Sequence, residues 1–174
     1  MKKNLIALTA AFVLLAFNAK AESIAVLDVE KIVKESTAMR DIQSKISKKQ
    51  DEYQKDVTKR QKELEAEQKK LESKKNVLAK DALEKEAKEF EKKVDDLKTL
   101  VDKKQNILRK ASTDSMGKVN EEIKDIIAAI AKEKGYDLIV PAGQTLFYKN
   151  EMDISADVLK ALNKKITKVN VKFE

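Results

Sequence analysis

Residues 38–134 carry a repeating pattern in which apolar residues recur at steps of three and four among dense charges. This stretch of 97 residues contains no proline and a single glycine, Gly117. The spacing is that of an amphipathic α-helix, and at about 1.5 Å per residue the stretch is too long to form one helix inside a small domain. We therefore expect a helix that runs out, turns and runs back, so that each half covers the apolar stripe of the other.

The two halves of this hairpin differ in their apolar stripes. In the outgoing half, from Val57 onwards, only one residue in seven is apolar, because Arg60, Glu67 and Lys74 occupy the alternate positions. A tight coiled coil requires apolar residues at both positions. We therefore expect the pairing of the two helices to weaken towards the turn, and most of the charges to lie on solvated faces.

The turn of the hairpin is predicted within residues 77–82. Asp81 is followed three residues later by Glu84, which is the pattern of a capping box at the start of a helix. The returning helix is predicted to end at Lys134, because lysines fill its last turn and Gly135 follows.

Short apolar segments on both sides of the hairpin predict a small body built from residues 22–37 and 135–174. The predicted strands are residues 23–29, 136–140, 145–148 and 169–173. Two short helices are also expected, one that Asp28 caps and one over residues 156–165 that Ser155 caps. The predicted fold class is α+β, with a long antiparallel helical-hairpin (coiled-coil) arm over residues 38–134 that projects from a small β-rich body.

Residues 24–37 and 135–174, which hold the predicted strands and helices of this body, number about 54, which is marginal for independent stability. The chain has no cysteine, so disulfides cannot supply the missing stability. We therefore expect the body to be an oligomerisation unit. Arms that project from such a body would point the same way and enclose a space.

The first 21 residues are predicted to be a secretory signal peptide. Lys2 and Lys3 precede an apolar run over residues 5–17, and Ala19 and Ala21 fit a small-x-small cleavage site. The alternative, a membrane anchor, is disfavoured because 13 apolar residues are short for a hydrocarbon core of about 30 Å. Cleavage after Ala21 leaves 153 residues and lowers the net charge from +7 to +4.

Composition argues against an enzyme. Charged residues make up 39% of the chain and aromatic residues 5%, and there is no histidine. No glycine-rich phosphate loop and no pairing of a nucleophile with a base is visible, so neither catalytic residues nor a cofactor or metal site is predicted. Nucleic-acid binding is disfavoured as well, because the arm carries a net charge of only +5 spread over its 97 residues.

The tip of the arm is the most basic part of the hairpin, since Glu72 is the only acidic residue between positions 69 and 80. The candidate residues for binding a client protein or an anionic lipid are Lys69, Lys70, Lys74, Lys75 and Lys80. The alternative interpretation is a tip whose lysines only keep the protein soluble.

Three segments outside the hairpin resemble the Skp (OmpH-like) family of periplasmic chaperones. They are residues 24–33 (IAVLDVEKIV), 136–140 (YDLIV) and 153–160 (DISADVLK). The resemblance implies a periplasmic homotrimer that holds unfolded outer-membrane proteins between its helical arms without ATP. A lipopolysaccharide-binding patch has been proposed for some members, and no residue-by-residue match to it is visible here. Residues 166–174 form a longer tail than the family pattern predicts.

The leading hypothesis from the sequence is therefore an ATP-independent holdase for unfolded outer-membrane proteins. A structural coiled-coil protein of the periplasm, or a binder of anionic polymer or lipid, is the alternative. Suppression of the aggregation of an unfolded outer-membrane protein without nucleotide distinguishes the first hypothesis from the others.

Overall fold

The computed structural model describes residues 22–174, and its largest feature is a hairpin of two long helices. The helices and strands are β1 (Ile24–Leu27), α1 (Val29–Glu35), α2 (Thr37–Lys74), α3 (Lys80–Lys134), β2 (Leu138–Pro141) and α4 (Ser155–Lys165). Short 3-10 turns cover Ala142–Gln144 and Asn150–Met152. The predicted hairpin is confirmed, with 38 residues in α2 and 55 in α3. The predicted signal peptide and its cleavage residues Ala19 and Ala21 lie outside the described residues.

The body is organised around β1. Its residues pair in parallel with β2, in a register that places Ile24 opposite Leu138 and Leu27 opposite Pro141. On its other side, β1 forms an isolated bridge between Val26 and Asp153. The body of this single chain thus contains a two-stranded sheet whose outer strand, β2, has a free edge within residues 22–174.

The hydrophobic core lies where the hairpin meets the body, and we call it the root cluster. It consists of Ala25, Leu27, Ile32, Ala38, Met39, Ile42, Val119, Ile123, Ile126, Ile154, Val158, Leu162 and Val169. These side chains come from β1, α1, the start of α2, the second half of α3, α4 and the residues after α4. Both helices of the arm are therefore anchored at the same end, against the same elements.

Two predicted helix boundaries are confirmed. Asp28 is the N-cap of α1, and its carboxylate accepts a hydrogen bond from the Lys31 N–H at 2.9 Å. Gly135 ends α3 in the left-handed conformation, with φ of 69°, which glycine adopts without steric cost. The Gly135 N–H donates to the Ala131 carbonyl.

The predicted capping box at the turn is wrong. The turn occupies residues 75–79, and Ala79 is the N-cap of α3 without a side-chain hydrogen bond. Asp81 lies inside the first turn of α3, because the helix begins two residues earlier than the capping-box pattern predicts. Its negative charge still interacts favourably with the positive N-terminal end of the helix dipole.

The predicted cap of α4 by Ser155 is also wrong. Ser155 is the first helical residue, and its hydroxyl accepts a hydrogen bond from the Asp28 N–H at 2.7 Å. Asp153 accepts from the Ser155 N–H at 2.8 Å. The hydroxyl is drawn away from the local helix by a donor at the other end of the chain.

Two predicted strands are absent from the described residues. Residues 145–148 are irregular, and both Leu146 and Phe147 face solvent. Residues 169–173 are not a strand either, although Val169 is buried and Val171 and Phe173 are half-buried. Both segments have the alternation of a strand, but no neighbouring strand within residues 22–174 pairs with them.

The arm contains no buried side chain between residues 43 and 110, within the part of the chain that the structure describes. Its apolar positions, among them Leu64, Leu71, Phe90 and Leu97, are only half-buried. The predicted weakness of the outer seam is consistent with this burial pattern. Apolar packing thus concentrates at the root and thins out along the arm.

Three ion pairs cross the seam in this outer region. Lys104 pairs with Asp56 at 2.8 Å, Lys93 pairs with Glu67, and Lys74 pairs with Glu86 at 2.8 Å. The residue numbers of every pair add to 160, so a single antiparallel register runs from residue 56 to the turn. Each partly exposed pair contributes little stability. Together the pairs favour one register, because a shift of either helix would separate all three.

Lys104 forms the most buried of these pairs, with a side chain that is 14% exposed. Its ammonium lies 4.2 Å from the centre of the Tyr53 ring, in cation–π geometry. Lys104 and then Arg60 hold the pKa of Asp56 below its usual value through hydrogen bonds. A charged residue thus occupies an apolar seam position, which favours register over stability.

We predict a gradient of hydrogen exchange along the arm. Amides of residues 71–83 should exchange quickly and those of β1 and β2 slowly, by a factor of about a hundred or more, because local opening is easiest where few apolar contacts hold the chain. Exchange mass spectrometry on the mature chain measures this. Equal protection from the turn to the root would indicate a rigid rod.

We also predict that Lys104→Leu raises the thermal midpoint by about 2–4 °C, because leucine restores an apolar seam position while Asp56 keeps Arg60 at 3.1 Å. Circular dichroism at the helical band measures the midpoint. Lys88→Leu, whose side chain is 72% exposed in the native chain, is the control and should change little. A lower midpoint for Lys104→Leu would show that its ion pair outweighs leucine packing.

Candidate functional site

The tip lysines lie in the last two turns of α2, in the turn, and at the first residue of α3. All five candidates, Lys69, Lys70, Lys74, Lys75 and Lys80, are exposed. Lys74 donates to both carboxylate oxygens of Glu86 at 2.8 Å. Within residues 22–174, no carboxylate lies within ion-pair distance of the other four. The structure thus divides the predicted set into one paired and four unpaired lysines.

A groove follows the seam of the arm below this basic tip. Its walls combine charged residues with half-buried apolar ones, and Leu71 and Phe90 lie between Lys70, Lys74 and Glu86. A second groove closer to the root is lined by Leu64, Leu97 and Leu100 among charges. The arm therefore offers shallow apolar contacts within a polar surface. It does not offer a closed pocket that would select one small molecule.

The body exposes several large apolar side chains, both on its strands and in the segment that follows β2. Phe147 is 82% exposed and Leu146 is fully exposed, while Leu138 and Ile24 on the strands are 51% and 36% exposed. Exposed apolar patches often mark interaction surfaces. The free edge of β2 offers backbone hydrogen bonds to a neighbouring chain.

The described residues offer no arrangement suited to metal binding, since no group of three or more acidic, histidine or cysteine side chains converges there. Within residues 22–174, no helix combines the length and the hydrophobicity that a membrane span requires.

Sequence reasoning missed the ion pairs across the seam, because it placed Glu67 and Lys74 at seam positions without partners and expected most other charges on solvated faces. The charged residues can be read from the sequence, and the two partners of each pair lie equally far from residue 80 along the chain. The turn was predicted only within residues 77–82, so the partner of each charge was undefined. The exposed residues Leu146 and Phe147 were also missed as a surface, because their alternation predicted a strand.

Comparison with known proteins places these features in a family. A family model described as "Outer membrane protein (OmpH-like)" matches residues 23–162. Among curated proteins, chaperone protein Skp from Pectobacterium atrosepticum is 36% identical over 52 residues, which cover 30% of this chain. The match spans about a third of that relative, 32% of its length.

A solved structure described as an outer membrane chaperone (OmpH-like) from Caulobacter crescentus CB15 has the same fold. It superposes with a TM-score of 0.82 and covers 88% of this chain and 90% of its own, at 18% identity. At that identity the likeness shows the fold alone, whereas the family match extends over most of the sequence. The chain belongs to the OmpH-like family of outer membrane proteins.

Proposed function

We propose that this protein is an ATP-independent periplasmic holdase that binds unfolded outer-membrane proteins between its helical arms and prevents their aggregation. The observation that carries the proposal is the outer arm, in which residues 43–110 contain no buried side chain within the described chain. A holdase needs weak and adaptable apolar contacts on a surface that does not itself aggregate. Half-buried leucines among paired charges on a chain of this family meet that need.

We propose that the chain assembles as a homotrimer through its body. Two features of the body support this assembly: the exposed side chains of Leu138, Leu146 and Phe147, and the free edge of β2 with its unpaired backbone groups. In this proposal residues 22–37 and 135–174 are the oligomerisation body, and residues 38–134 are the arm. Residues 1–21 are the signal peptide that directs the chain to the periplasm.

The tip lysines are proposed to attract acidic segments of clients or anionic lipid headgroups, lipopolysaccharide included. Four unpaired ammonium groups at the end of a long lever create a positive field that extends ahead of the arms. A structural coiled-coil spacer would not require unpaired lysines at its tip.

The assembly is tested by Leu146→Ser combined with Phe147→Ser. Each substitution removes about 1.5–3 kcal/mol of potential apolar burial, so subunit dissociation constants should rise about tenfold or more. Sedimentation equilibrium measures the change, and circular dichroism should show that the helices persist. Val77→Ser, at an 82% exposed tip residue, is the control. A native chain that is monomeric at low micromolar concentration would contradict the proposal.

The role of the tip is tested by changing Lys69, Lys70 and Lys75 to glutamine. Association rates with an unfolded client should fall about threefold or more at a Debye length of ~30 Å, and the effect should shrink at ~8 Å, because salt screens exposed charges. The control changes Lys48, Lys55 and Lys62 to glutamine, which removes the same charge from a part of α2 that lies away from the tip. Equal losses at both salt concentrations would contradict electrostatic capture. Vesicles of anionic and of zwitterionic lipid test lipid binding separately.

The holdase mechanism is tested by shortening the arm. The register places residues 57–63 opposite residues 97–103, so deletion of both segments shortens each helix by ~10 Å and preserves the Lys93–Glu67 and Lys74–Glu86 pairs. This variant should still assemble, protect a small barrel protein, and lose most of its protection of a large one. Light scattering of diluted, denatured clients without nucleotide measures protection.

Deletion of residues 57–63 alone is the mismatched control. It moves the outer ion pairs out of register, so the helical content of the protein should fall. The variant should also fail to suppress the aggregation of either client. Failure of the native chain to suppress aggregation of either client would refute the holdase function.

A further inference from the structure

Residues 166–174, which we call the tail, lie beyond the family match at residues 23–162 and run along one face of α2. Residues of α2 at intervals of four contact it in order: Thr37, Asp41, Lys45 and Lys49. These helix positions span ~18 Å, and the tail from Ile166 to Phe173 spans ~23 Å if fully extended. The tail is thus a nearly extended segment that follows the helix from the root outwards.

The helix holds the backbone of the tail at Val169. The Val169 N–H donates to the Asp41 carboxylate at 2.8 Å, and the Val169 carbonyl accepts from the Lys45 ammonium at 2.7 Å. Asp41 and Lys45 also pair with each other at 2.7 Å. Lys45 and then the Val169 N–H hold the pKa of Asp41 below its usual value. The two side chains supply one donor and one acceptor to a single residue, as a neighbouring strand would.

Apolar packing and a cation–π contact hold alternate side chains of the tail. Val169 is buried within the root cluster, and Val171 packs against that cluster. The Lys49 ammonium lies 5.8 Å from the centre of the Phe173 ring and 5.3 Å from that of Tyr53. The intervening residues Asn170 and Lys172 are exposed. Backbone bonds together with pockets for every second side chain are the usual basis for recognising an extended peptide of variable sequence.

We propose that the face of α2 formed by Asp41, Lys45 and Lys49 is a binding site for an extended segment of an unfolded client with alternating apolar residues, and that the tail occupies this site in the absence of client. The inference rests on the proposed holdase function and names the client chemistry. Strands of membrane β-barrels alternate apolar and polar residues, as Val169, Val171 and Phe173 do in the tail.

Occupation of the site by the tail affects both self-association and client binding. Val169 and Val171 of the tail cover part of the root cluster, whose exposure would favour self-association. Because the tail is tethered, its effective concentration is in the millimolar range, so a short free peptide competes poorly. A long client that is already held by the arms gains a similar local concentration and displaces the tail.

The test uses full-length mature protein and a fluorescent peptide with the sequence of the tail, ITKVNVKFE. Val169→Asn combined with Phe173→Ser releases the tail and leaves the helix face intact. Fluorescence anisotropy should show at least tenfold tighter peptide binding by this released variant than by the native chain, because only the unoccupied fraction of sites binds. A peptide of the same composition without alternation should bind at least tenfold more weakly.

A matched pair of further variants locates the site. Asp41→Ala with Lys45→Ala in the released variant should abolish peptide binding. Glu84→Ala with Lys88→Ala removes an ion pair of the same i, i+4 spacing near the tip, also without a change of net charge, and should leave binding unaltered. Equal binding by the native and released chains, or binding that survives the loss of Asp41 and Lys45, overturns the proposal.

A second measurement covers destabilisation of the released variant. If its thermal midpoint falls, excess tail peptide should restore the midpoint, since a ligand that binds the folded state stabilises it. No restoration overturns the proposal. A denatured outer-membrane barrel protein should displace the labelled peptide from the released variant, and the absence of displacement overturns the assignment to clients.

The aggregation assay on the native chain separates this inference from the holdase function. If the native chain suppresses aggregation but the released variant does not bind the tail peptide, the tail site alone is rejected. If the released variant binds the tail peptide but the native chain does not suppress aggregation, the holdase function is rejected, and so is the proposal that the site binds client segments.

Discussion

The structure depends on the fact that both arm helices are anchored at one end only. The first turns of α2 and the second half of α3 contribute Met39, Ile42, Val119 and Ile123 to the same cluster as β1 and α4. Beyond this cluster, apolar residues are sparser and bury one another only in part. Because hydrophobic stabilisation is proportional to buried apolar area, it is greatest per residue at the root. The outer arm is a lever whose position is fixed at its base and whose surface stays available.

The charges of the arm carry out what the apolar residues cannot. Partly exposed ion pairs contribute little to stability, so the three pairs across the seam do not make the arm rigid. They make other registers less favourable, since a shift would bring unlike partners apart and like charges together. Weak cohesion with a defined register allows the outer arm to deform and then to return to one arrangement. The same chemistry at Asp41 and Lys45 orders the backbone of the tail.

Local patterns were sufficient to predict the hairpin, the end of α3 at Gly135 and the cap at Asp28, because each depends on residues close in sequence. They failed where the deciding partner is distant. The hydroxyl of Ser155 accepts from Asp28, which lies 127 residues away, so a local cap could not be inferred reliably. Residues 145–148 and 169–173 have the alternation of strands, yet a strand also requires a neighbour to pair with. Which tip lysines have an acidic partner depends on which residues of the two helices lie opposite each other, and local sequence patterns do not define that register.

The parallel pairing of β1 with β2 joins residues that are 114 positions apart, with the entire arm between them. Closing a loop of that length before the arm has formed is slow, because non-local contacts bring no stability until the chain entropy of closure has been overcome. Formation of the hairpin from its turn inwards brings the two ends of the loop together. The weak outer arm is therefore expected to form first and the stable root last. Until α4 and Val169 have been synthesised, β1 has no complete core to join, so the newly made chain is itself an unfolded protein in need of protection.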